Sequence, residues 1–139
     1  MNRMTFNEVV HRVPNLAAEG LLVVNESKYT AKRHEFVTNA LHLQEAIDAS
    51  NFLSKIGKSS RFSQWQRNNC SPENLKPLLE WHIGRPLSSG SIIVAALHLG
   101  FTMGVTDGTQ VYFNFFAPQI ETELAQLRTL QQIKRVVGA

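Results

Sequence analysis

Between Ser71 and Phe116 the chain is punctuated at such short intervals that few backbones satisfy it. Ser71, Pro72 and Glu73 supply an N-cap, a first-turn proline and a negative charge near the positive end of a helix dipole. Leu75, Leu78, Leu79 and Ile83 then recur at helical spacing, and Gly84 can take the left-handed conformation that ends a helix. Pro77 should bend this helix or delay its start. After Arg85-Pro86-Leu87, Ser88 or Ser89 can cap a second helix over about residues 90–99, closed by Gly100. Residues 101–105 and 111–115 carry β-branched and aromatic side chains on either side of Thr106-Asp107-Gly108-Thr109, and Asp-Gly is a strong hairpin-turn signal. The segment reads as helix, tight turn, helix and β-hairpin.

The flanks are mostly helical. Thr5-Phe6-Asn7-Glu8 has the form of a capping box, so a short helix starts at Phe6 and ends or kinks at Pro14. Residues 21–24 form a buried strand or extended segment, followed by a turn at 25–27. Over residues 31–56, Phe36, Val37, Ala40, Leu41, Leu43 and Ile47 fall at helical spacing, which predicts one long amphipathic helix. Residues 57–60 break it, and 61–68 form at most a short helical turn. Pro118 opens a final helix with Glu121 and Glu123 early and Lys134 and Arg135 late, matching the helix dipole. Its stripe of Ile120, Leu124, Leu127, Leu130 and Val137 suits either packing within the chain or a helix-pair seam in a homodimer.

A chain of 139 residues with 43% hydrophobic and 18% charged residues has enough apolar material for one real core, which excludes a disordered polymer. The single cysteine, Cys70, rules out an internal disulfide framework, and no Cys/His spacing of zinc-finger type is present. The first residues lack the uninterrupted apolar core of a signal peptide, and the longest apolar run, 92–97, is too short to span a bilayer. A cytoplasmic protein with no membrane partner is the expectation.

The stretch PENLKPLLEWHIGRPLSSGSIIVAALHLGFTMGVTDGTQVYFNF resembles winged helix-turn-helix DNA-binding domains, in which a support helix, a turn, a recognition helix and a two-stranded wing follow in that order. The resemblance covers about 45 residues, or about 85 with the preceding helix, and rests on element order. It implies an α+β fold, a mainly helical single domain with residues 1–30 as an N-terminal helix and extended segment, 31–116 as a winged-helix-like core, and 117–139 as a C-terminal helix. It also implies that the helix over 90–99 lies in the major groove of DNA, with Ser88, Ser89 and Ser91 near a phosphate, Arg85 beside them, and the hairpin tip at 107–110 near the adjacent backbone or minor groove. A helical wheel places Ile92, Ile93, Ala95, Ala96 and Leu99 inward and Gly90, Ser91, Val94 and His98 outward. That outward face holds no Arg, Lys, Asn or Gln, the side chains that usually read bases.

The best electrostatic candidate lies elsewhere. Net charge is +3, and no acidic residue occurs between Asp48 and Glu73, whereas Lys55, Lys58, Arg61 and Arg67 all fall there with Phe52, Phe62 and Trp65. Cations there can bind phosphates by releasing counterions, and an aromatic ring can stack on an unpaired base; the plainer alternative is a solvated basic loop with its rings tucked into the core. The five histidines form no i, i+4 metal pair, Cys70 with His82 is the one conceivable nucleophile and base, and no carboxylate pair demands catalysis. The sequence thus predicts a non-enzyme without cofactor: a small DNA-binding regulator that contacts the backbone through its basic segment, or alternatively an interaction or inhibitor protein that binds a protein partner through Trp65, Trp81, Phe115 and Phe116.

Overall fold

A computed structural model of the chain describes residues 4–22, 29–106 and 110–138, and the side chains of these up to Ile133. Helix α1 spans Phe6–Arg12 and begins with the expected capping box: Thr5 Oγ1 accepts from the Glu8 amide at 3.1 Å, and the Thr5 amide donates back to Glu8 Oε1 at 3.3 Å. The extended segment that follows lies earlier than expected. Strands β1 (Leu16–Ala17) and β2 (Gly20–Leu21) pair antiparallel, with Gly20 at φ +107° completing the reversal. Val23, Val24 and the expected turn at 25–27 lie outside the described residues.

The single long helix expected over 31–56 is two helices, α2 (Tyr29–Thr38) and α3 (Ala40–Leu53). Asn39 divides them. Its backbone is extended, at φ −86° and ψ 112°, and its Oδ1 accepts from the Leu41 amide at 2.9 Å. An asparagine side chain competes with the helical backbone for such amides, so it favours a cap over a helix interior. The break rotates the apolar stripe out of register: Val37, Leu41 and Leu43 are exposed, and α3 buries Glu45, Ala46, Ala49, Ser50 and Leu53 instead.

Helix α4 (Gln64–Asn69) has its own capping box from Ser63 and Gln66. Helix α5 (Pro72–Ile83) starts from the Ser71 cap and stops at Gly84, φ +86°, as the punctuation predicts; Pro77 is accommodated inside it. Helix α6 (Ser89–His98) is capped by Ser88. Strands β3 (Met103–Val105) and β4 (Val111–Phe113) pair antiparallel with Gly104 opposite Tyr112, and Asp107 to Thr109 at the tip lie outside the described residues. Helix α7 (Ala117–Gly138) closes the chain. The result is an α+β, mainly helical single domain whose one hydrophobic cluster draws on residues from Val9 to Leu127.

Helix α6 is the axis of that cluster. Every residue from Ser89 to Ala96 is buried, including Gly90, Ser91 and Val94, which the helical wheel placed outward. An all-round apolar helix is expected in an interior, and here α3, α5, α1 and the β1–β2 hairpin cover it from several sides. Gly90 shows how close the hairpin comes: a Cβ at that position would lie 2.0 Å from the Ala17 carbonyl oxygen. Among the described residues, no helix is long and apolar enough to cross a membrane.

Candidate nucleic-acid interface

Residues 57–59 and Cys70, on either side of α4, are hydrogen-bonded to residues 113–116 at the end of β4 and just beyond it. The Phe116 amide donates to the Gly57 carbonyl at 2.8 Å, the Ser59 amide to the Asn114 carbonyl at 2.8 Å, and the Phe113 amide to the Cys70 carbonyl at 3.1 Å. Lys58 and Phe115 form an isolated antiparallel bridge. Two buried amide side chains add to this. Gln66 Nε2 donates to the Phe115 carbonyl at 2.8 Å, and Asn114 reaches in two directions, donating from Nδ2 to the Ser59 carbonyl at 2.8 Å and accepting at Oδ1 from the Thr102 amide at 2.6 Å. A buried amide satisfied on both ends fixes the segments it joins, because leaving either end unpaired costs about 1–3 kcal/mol.

This arrangement carries the basic residues onto the outside of the hairpin. Lys58 Nζ lies 5.4 Å from the centroid of the Phe101 ring, and the Arg67 guanidinium lies 6.0 Å from that of Tyr112. Phe62 meets the Tyr112 ring edge-on at 4.8 Å. The Tyr112 ring crosses the partner strand where Gly104 leaves room; a Cβ there would be 2.4 Å from the ring. Lys55, Lys58, Arg61 and Arg67 are all exposed, and none has a carboxylate partner among the described residues. Trp65 packs half-buried against the core.

Three cations elsewhere are engaged within the fold, whereas Arg12 and Lys76 also have no carboxylate partner among the described residues. Arg85 forms an ion pair with Asp48 of α3, and Lys32 pairs with Glu19 at 3.2 Å. Arg33 donates to the carbonyls of Val10, Val13 and Leu16 at 2.6–3.1 Å, tying α2 to the end of α1, and its partial burial lowers its pKa. Arg85 therefore does not join Lys55, Lys58, Arg61 and Arg67.

The three serines expected near a phosphate are part of the interior. Ser89 and Ser91 are buried, and Ser88 is half-buried. Ser88 Oγ accepts from the Ser91 amide at 3.2 Å and lies 2.7 Å from Ser91 Oγ; the Ser88 amide donates to Glu45 Oε1 at 3.0 Å, and Ser91 Oγ lies 3.0 Å from the same oxygen. Burial acts to raise the pKa of Glu45, but the hydrogen bonds from Ser88 and Ser91, with the neighbouring His42, hold it below the usual carboxylate range. A buried carboxylate on α3 thus fastens the N-terminus of α6 and engages Ser88 and Ser91 within the fold.

His42 completes this polar chain, with Nε2 2.9 Å from Glu35 Oε1 and Nδ1 3.4 Å from Ser88 Oγ. His82 is separate: it contacts Glu123 at 3.0 Å and stacks on Phe52. Cys70 is fully buried, and burial pushes its thiol up to about 12, which disfavours the thiolate. Among the described residues, no group of three His, Cys, Asp or Glu side chains is placed to hold a metal ion. Of the aromatic residues expected at a protein interface, Trp81 and Phe116 are 48% and 43% exposed, whereas Phe115 is in the core against Phe101 and Phe113. Strand alternation separates Phe115 from Phe116, and the bridge to Lys58 turns Phe115 inward.

The positioning roles of Gln66 and Asn114 have no counterpart in the sequence reading. The Ser63–Gln66 capping box was a local signal for one of them; nothing local marks Asn114, whose partners are 12 and 55 residues away. Comparison of the chain with protein-family models, with curated proteins and with solved structures gave no match.

Proposed function

We propose that the chain is a small DNA-binding regulator that holds the phosphate backbone through Lys55, Lys58, Arg61 and Arg67. The observation that supports this reading is clustering: these four cations are exposed and without carboxylate partners among the described residues, and they share one segment, Lys55 to Arg67, that holds no acidic residue, while Arg85, Lys32 and Arg33 are engaged within the fold. Clamping to β4 fixes the backbone that carries them, and Phe101 and Tyr112 orient two of their heads. Because α6 is interior, it does not serve as a base-reading helix, and the binding is taken as electrostatic with little sequence preference. Electrophoretic shift with random duplex at a series of salt concentrations tests it. Binding that weakens linearly in log salt is the expected result, and no shift at low salt contradicts it.

A second reading, a protein partner, is favoured by Trp81 and Phe116, two large rings held open to solvent. Helix α7 offers a related surface, since Leu130 and Ile133 are 42% and 53% exposed beyond the buried Leu127, which suits pairing of two copies. Light scattering at increasing concentration separates these: a doubled mass lost in Leu130→Gln/Ile133→Gln supports the homodimer, and a constant monomer mass removes it.

A further inference from the structure

The break between α2 and α3 leaves a pocket of about 180 Å³ among α1, α2, α3 and α6. Its floor is formed by buried apolar side chains, Phe36, Ala46 and Val94. Its walls are Phe6 and Val10 on one side and Val37 and Leu43 on the other, and the last two are 47% and 46% exposed. Large apolar side chains left in water beside a concavity mark a binding site more often than those scattered singly. At the rim stand Asn7, whose carboxamide makes no hydrogen bond among the described residues, and Asn39, whose Nδ2 uses one N–H on Glu35 and keeps another.

We infer that this pocket binds a small, mostly apolar molecule of single-ring size that carries one hydrogen-bonding group. The volume sets the size: an apolar cavity of about 150 Å³ accommodates benzene, and this one is slightly larger and opens to solvent on one side. The lining sets the chemistry. His42 presents its ring to Phe36 at 5.0 Å, but both its nitrogens are occupied, by Glu35 and by Ser88 with Glu45, so the pocket offers no free charged group and does not select an ion. One hydroxyl or carbonyl on the ligand would meet the amide of Asn7 or Asn39 at the mouth, while the ring replaces water against Val37, Leu43 and Val94. The site is independent of the basic face, so the two readings stand or fall separately.

Phenol and toluene are suitable probes, titrated into the full chain with methyl-labelled Val, Leu and Ile followed by NMR. Saturable shifts at the Val94, Val37 and Leu43 methyls, with Val105, Leu130 and Ile133 unmoved, are expected, phenol binding more tightly than toluene. Ala46→Leu fills the floor and should weaken phenol binding at least tenfold; Leu43→Ser, at an exposed position that does not endanger folding, should weaken it about threefold. Shifts that never saturate, shifts spread equally over every exposed apolar patch, or full phenol affinity in a folded Ala46→Leu protein would each overturn the inference.

Discussion

Two polar regions of this chain serve opposite ends. At the α3–α6 junction, Ser88, Ser91, His42 and Glu45 satisfy one another in the interior; along the outside of β4, Lys55, Lys58, Arg61 and Arg67 are held in place by backbone pairing and left without counter-charges. Residue type alone does not tell an engaged group from an available one, because a capping serine and a phosphate-binding serine, or a paired and an unpaired arginine, look alike in sequence. What separates them is whether each polar group already has its partner. The inner network carries stability, and the outer one is available to a ligand.

The strongest way to break the inner region is Gly90→Ala. With a Cβ 2.0 Å from the Ala17 carbonyl oxygen, the β1–β2 hairpin must move off α6, and a loss of about 3 kcal/mol or more is expected in urea denaturation. Stability close to that of the native protein would mean that the hairpin does not lie across α6.

Next comes Glu45→Leu, which leaves the Ser88 amide without its acceptor, while the Ser91 hydroxyl keeps the His42 carbonyl at 3.2 Å, and should cost about 2 kcal/mol. Acid offers an independent check on the same group. Because folding lowers the pKa of Glu45, its contribution is complete above the ordinary glutamate value of 4.5 and is lost as pH falls through the lower folded value. Glu35, lowered by hydrogen bonds from Asn39 and His42, adds in the same direction. The stability gap between native protein and Glu45→Gln should therefore narrow below pH 4.5; a gap independent of pH would show that the carboxylate charge is not what α6 is fastened to.

Arg85→Ala sharpens the comparison from the other side. It removes a partly exposed pair with Asp48, so about 0.5 kcal/mol of stability should be lost, with no change in DNA affinity. The smallest effect on folding is expected from Lys58→Ala/Arg61→Ala, whose thermal midpoint should match the native protein.

Much of the fold was legible because its signals are local. Thr5 with Glu8, Ser71 with Pro72, Ser88 and Gly84 each act within a few residues, and the helices they start or stop are where the sequence places them. The α2–α3 break was missed because Asn39 sits in a run with helical spacing, and only its own cap geometry shows that it divides the run. The burial of α6 on all sides was missed for a different reason. A wheel sorts residues by polarity, and Gly90 and Ser91 look outward until the Ala17 backbone and Glu45 are seen against them. The basic residues were legible as a group, but the clamp that positions them rests on Asn114 and Gln66 acting across 49–55 residues, which no periodicity encodes.

The claim that partner inventory distinguishes the two regions is tested most directly by the salt dependence of duplex DNA affinity in three proteins: native, Lys58→Ala/Arg61→Ala, and Arg85→Ala. If the outer cations neutralise phosphates, the double variant should lose about 2 from the slope of log affinity against log salt, while Arg85→Ala keeps the native slope. Equal slopes in all three, or a loss in Arg85→Ala as large as in the double variant, would contradict it.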